Sequence, residues 1–302
     1  MRTYLLLAIL FTMCSVSAFA QQHAEGEKYI RQLDLYQDSL NALSYKMIND
    51  PIDPQRFNAN YAFTRMLVKA LKTPHSFNYN FDSLKTISIV TPPDRRFRIL
   101  TWHVMYDDGS YRYYGCIQKN NPDGKLDMFG MVDYTPKIKD PADTVTSNDR
   151  WYGAQYYSIV PVLYNTPIQY YVLLGWKGNT AKSTKKVIDV LYFKNGKPVF
   201  GMPVFEKTTA KRIIFEYTRQ ASMLLKYDAK TNMIVFDHLA PPDPKQKDNF
   251  AMYGPDFTYD GYKLFNGRWK HLSDLPLKNE PTDTDKDFND PKNPQRKISR
   301  KF

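Results

Sequence analysis

The sequence predicts a mainly β protein: an antiparallel meander forming a curved sheet, sandwich or barrel-like body, with two helices at its N-terminal end. Segments rich in β-branched and aromatic residues recur from Leu84 onward, in a chain that holds 23 Tyr, 18 Phe and 4 Trp. Asp108-Gly109, Asn195-Gly196 and Asn266-Gly267 are dipeptides that supply the positive φ angles of two-residue hairpin turns. Between the candidate strands there are no helical crossovers, which parallel neighbours would need.

Element by element, residues 1–20 read as a signal peptide. Arg2 gives the positive start, Leu5 to Met13 an apolar centre too short to span a bilayer, and Ala18-Phe19-Ala20 an A-x-A exit, so a mature chain would begin near Gln21. Met13 stands where a lipobox wants a small residue before Cys14, which argues against lipid attachment. Residues 21–76 form a helical segment. Apolar residues at Tyr29, Ile30, Leu33, Leu40, Leu43 and Met47 fall at threes and fours over Glu27 to Ile48, Asp50 to Pro54 breaks the pattern, and a second helix runs from Asn58 to Leu71.

Residues 84–276 form the antiparallel β domain. Its strands are expected at Thr86–Val90, Arg98–Tyr106, Tyr111–Gln118, Tyr170–Trp176, Val187–Phe193, Arg212–Tyr217 and Met233–Phe236. Asn121 to Gly124 and Asp228 to Asn232 read as longer connections. The turns do not recur at a constant interval, so a strict repeat is not expected and a degenerate propeller is the alternative. Residues 277–302 are poor in apolar side chains and interrupted by Pro281, Pro291 and Pro294, which predicts a disordered basic tail.

The 302 residues carry 42 Lys and Arg against 31 Asp and Glu, a formal charge of +11. In an exported protein, in the periplasm, at the outer membrane or outside the cell, that balance suits anionic envelope partners and makes nucleic acid an unsuitable one. The acid-free cluster Lys292, Arg296, Lys297, Arg300 and Lys301 would be the part able to touch an anionic membrane surface. Once Cys14 leaves with the signal, Cys116 is the remaining thiol, so an intramolecular disulfide is not expected.

Candidate chemistry is sparse. If Asp108 and Gly109 form a two-residue turn, His103 lies opposite Tyr114 and Thr101 opposite Cys116. His103 and Cys116 then share a face as a thiol and a base. Asp237-His238 closes a strand and could display an acid beside an imidazole. Asp256 and Asp260 could serve as the acid and base of a glycosidase, with Tyr253, Tyr259 and Tyr262 as a stacking platform for sugars. Asp283, Asp285, Asp287 and Asn289 alternate like calcium ligands, but Phe288 and Pro294 stand where an EF-hand loop needs Gly and Glu. No metal site, cofactor fingerprint, nucleophile elbow or P-loop is readable.

Trp151-Tyr152-Gly153-Ala154, Leu173 to Asn179, Lys185 to Leu191 and Tyr253 to Phe257 resemble a family of uncharacterised exported proteins of Bacteroidota-type bacteria, over most of Leu84 to Leu272. The resemblance implies an envelope location and carries no catalytic residues with it. Two functions are therefore expected to compete. One is a non-catalytic binding or structural module for a glycan, peptide or protein; the other is a hydrolase of envelope polysaccharide or peptidoglycan.

Overall fold

The protein is described by a computed structural model over residues 25–276. The expected signal peptide, the expected basic tail and the calcium-like aspartates lie outside the described residues. Helix α1 (Arg2–Asn49), described from Glu25, and helix α2 (Asp53–Leu71) are separated by residues 50–52. Helix α2 starts five residues before the expected Asn58 and takes in Asp53 and Pro54 from the expected break, because a proline is tolerated in a helix's first turn. Leu33, Leu40 and Met47 of α1 meet Ala59, Phe63 and Leu67 of α2 in one buried cluster, as the sequence periodicity requires. No described helix is long and apolar enough to cross a membrane.

Fourteen strands follow among the described residues, in three antiparallel sheets, none closed into a barrel. The first sheet holds β1 (Ser88–Val90), β2 (Phe97–Met105), β3 (Tyr111–Lys119) and β4 (Met128–Val132) in sequential order. The second holds β5 (Thr146–Ser147), β6 (Gln155–Val162), β7 (Tyr170–Gly178), β8 (Ser183–Lys194) and β9 (Lys197–Phe200) in the order 5-9-8-7-6, and β10 (Ile213–Thr218) also pairs with the long β8. In the third, β11 (Leu225–Asp228), β12 (Met233–Ala240), β13 (Gly254–Phe265) and β14 (Arg268–Leu272) meander in sequence.

The three apolar cores show how the sheets stack. Leu100, Trp102, Val104 and Cys116 of the first sheet pack against the two helices. Its other face, with Phe97, Ile99, Tyr113 and Ile117, meets Tyr171, Leu173 and Val187 of the second sheet. Val172, Leu174, Ile188 and Val190, pointing the opposite way from β7 and β8, meet Ile234, Phe236, Tyr262 and Trp269 of the third. The result is a layered body of helices and three sheets, in which β2, β7 and β8 are buried on both faces. Such strands read as continuous apolar runs instead of alternating ones.

The hairpins at Asn195-Gly196 and Asn266-Gly267 have the expected form. Lys194 pairs with Lys197 and Phe265 with Arg268, and both central residues of each turn have positive φ. The β2–β3 hairpin corrects the expected register. Its loop has three residues, Asp107-Asp108-Gly109, closed by hydrogen bonds from Gly109 N to Tyr106 O (2.9 Å) and from Tyr106 N to Ser110 O (2.8 Å), with Gly109 alone at φ +80°. His103 therefore pairs with Tyr113, and Cys116 with Leu100. This slip of one residue sends Cys116 and His103 to opposite faces of the sheet.

Polar groups also hold the layers together. The Asp189–Arg212 pair (3.0 Å) has both side chains fully withdrawn from solvent. Asp189 also accepts from Tyr156 Oη (3.0 Å), and Arg212 donates to the carbonyls of Pro141 and Thr144. Nearby, Lys177 Nζ donates to Thr135 Oγ1 (2.9 Å) and Gly153 O between the rings of Tyr113 and Tyr152, 4.5 and 4.3 Å from their centroids.

Candidate functional site

The densest gathering of sequence-predicted site residues lies on the third sheet, where β12 and β13 fall out of register. Asp237 pairs with Tyr259 and Leu239 with Pro255, so Asp256, Phe257 and Thr258 stand opposite His238 alone. Bulges of this kind bend a strand and re-aim its side chains. Here the bulge brings together groups distant in sequence: His238 Nδ1 lies 2.9 Å from Asp260 Oδ2, 22 residues on, and His238 Nε2 lies 3.9 Å from Asp256 Oδ2.

Each carboxylate is already engaged. Asp256 accepts from Thr258 N (3.0 Å) and Thr258 Oγ1 (2.7 Å), and these hydrogen bonds hold its carboxyl below the ordinary aspartate range. Asp260 is almost buried, accepts from Asp274 N (3.2 Å), and has His271 Nε2 3.7 Å away. Asp260 raises the pKa of His238, chiefly through their hydrogen bond. Both histidines remain about half exposed, so the cluster forms the rim of the core between the second and third sheets. His271 was not among the sequence candidates, although the Asn266-Gly267 turn pairs it with Tyr262.

Phe257 is the second feature of the bulge. Its φ is +70° and 94% of its surface is exposed. The left-handed region is uncommon for a non-glycine residue and costs about 1–3 kcal/mol, while the ring gains no packing within its own chain. The Asp256–Thr258 hydrogen bonds close the turn around it.

The remaining candidates separate. Asp237 does not join His238; its Oδ2 accepts from Leu224 N (2.7 Å) and fixes the approach to β11. Tyr262 belongs to the apolar core at 8% exposure, and Tyr253 Oη donates to Lys247 O (2.6 Å). Tyr259 pairs with Asp237. A three-tyrosine platform is therefore not formed, because Tyr259 and Tyr262, three positions apart on a strand, point to opposite faces.

The Cys116–His103 pair is not formed either. Burial among the helix-facing residues pushes the Cys116 thiol up to about 12, away from thiolate chemistry. His103 lies on the other face, with Nδ1 2.8 Å from Gln155 Oε1 and the rings of Tyr111 and Trp176 around it; burial lowers its pKa. Among the described residues, no group of three or more His, Cys, Asp or Glu side chains is arranged to hold a metal ion. No family model, curated protein or solved structure matches the chain.

Proposed function

We propose that this chain is an exported cell-envelope protein, periplasmic or outer-membrane-associated, that binds a protein or peptide partner without transforming it. Phe257 carries this reading: the chain accepts a strained backbone to hold a large apolar ring in water, and a partner's apolar pocket would return about 1.5–3 kcal/mol on burying it. The carboxylates beside it suit support better than catalysis. A glycosidase needs one carboxyl kept protonated as its acid, whereas Asp256 is held anionic and Asp260 is tied to two histidines.

The test uses the mature chain, isolated envelope membranes and purified peptidoglycan. Wild-type protein should sediment saturably with the membranes and Phe257→Ser should lose at least about tenfold in affinity, with no soluble fragments released from peptidoglycan. Equal binding by the two proteins, or release of fragments that Asp256→Asn abolishes, would contradict the reading.

A further inference from the structure

A cleft of about 350 Å³ opens between strands β7, β8 and β10 and the connection that follows β10. Thr184 and Lys186 of β8, Tyr217 of β10, Trp176 of β7, Tyr111 of β3 and Arg219 line it. Its volume lies at the small end for ligand sites and suits one or two sugar rings. Trp176 and Tyr111 stand edge to face with centroids 5.3 Å apart, and the Arg219 guanidinium lies over Tyr111, donating to its hydroxyl at 2.7 Å.

The cleft's cations lie outside salt-bridge distance of any described carboxylate, with Asp237 the acid that acts on Lys186 from farther away. Among the described residues, neither Arg219 nor Lys186 makes a salt bridge, in contrast to Lys185 next along β8, which meets Glu216 at 3.1 Å. Lys186 Nζ donates to Met223 O and lies 5.6 Å from the Tyr157 ring centroid. Thr184 is 6% exposed and its hydroxyl has no hydrogen-bond partner, an arrangement that buried polar groups rarely keep without a reason.

We propose that this cleft binds an anionic saccharide unit, with the C–H face of the sugar on Trp176 and its carboxylate between Arg219 and Lys186. Arg219, which makes no salt bridge among the described residues, and Lys186, whose charge Asp237 offsets only beyond salt-bridge distance, supply the charge selectivity, and the aromatic wall requires a flat apolar face that a bare inorganic ion lacks. No lining residue of the cleft belongs to the bulge at residues 256–258, so either proposal can be disproved without the other.

Trp176 makes the proposal directly measurable. The other three tryptophans, Trp102, Trp151 and Trp269, are at most 3% exposed, so changes in tryptophan emission on ligand addition report chiefly on Trp176. Oligogalacturonate titrated into the full-length mature protein should change that emission saturably, while its neutral methyl ester should not. Arg219→Gln, at an exposed position, should weaken binding about tenfold, and Phe257→Ser should leave it unchanged. Absence of a saturable change with oligogalacturonate in either fluorescence or calorimetry would overturn the proposal. So would an equal response to the methyl ester, or an equal response to inorganic phosphate alone.

Discussion

His238 Nδ1 and Asp260 Oδ2 stand 2.9 Å apart across β12 and β13, and three bulged residues opposite His238 make that approach possible. The pair sets a pH dependence with a definite sign. Because the folded state raises the His238 pKa, its stabilising contribution is complete below the unfolded value of about 6.5 and is lost as pH rises through the folded value. Titration of the His238 ring by NMR should place its midpoint above that of an unfolded histidine. Asp260→Asn should bring it down, and an unchanged midpoint would remove Asp260 as the cause.

Asp189 and Arg212 should behave as a buried unit. Asp189→Asn leaves a guanidinium without its counter-charge in a site closed to water, and should destabilise the fold by about 3–5 kcal/mol. Urea unfolding measures this. The double variant Asp189→Leu/Arg212→Met should recover a substantial part of the loss, since it removes the uncompensated charge.

Lys177 predicts an opposite slope at higher pH. Burial depresses its pKa to about 7, so between about pH 7 and the unfolded value near 10.4 the unfolded chain holds a proton that the folded chain lacks. Stability attributable to this residue therefore rises with pH across that window. Comparing wild type with Lys177→Met in urea at pH 6.5 and pH 9 should show wild type gaining on the variant at the higher pH; parallel behaviour would contradict a depressed pKa.

Cys116 should be inert while the fold is intact. With its thiol pushed up to about 12 and covered by the helices, it should resist a thiol reagent at pH 8 and react promptly once denaturant is added. Stoichiometric labelling of the native protein would show that the helices open on the timescale of the assay.

The fold class was legible because its main signals are local. The Asn-Gly turns at 195–196 and 266–267 fix two hairpins outright, and Asp50-Pro51 marks the break between helices, although Asp53 and Pro54, expected within it, open α2. Asp108-Gly109 misled because the same two letters also end a three-residue loop with glycine in the left-handed position, and one residue of register exchanges the faces of a strand. The stacking of three sheets was hidden in β2, β7 and β8, whose burial on both faces removes the alternation that would reveal a single core. His238 and Asp256 were visible as residue types, but their meeting depends on a bulge, which leaves no period in the sequence. Phe257 gave no signal at all, because nothing in the letter Phe announces a positive φ or an exposed ring.

Photocrosslinking at position 257 tests the proposed binding role most directly. A photoreactive phenylalanine analogue placed there in the native host should yield a discrete adduct with one envelope protein, and the same probe at the exposed turn residue Asn195 should not. No adduct from position 257, or the same diffuse products from both positions, would contradict a partner-binding role for the bulge.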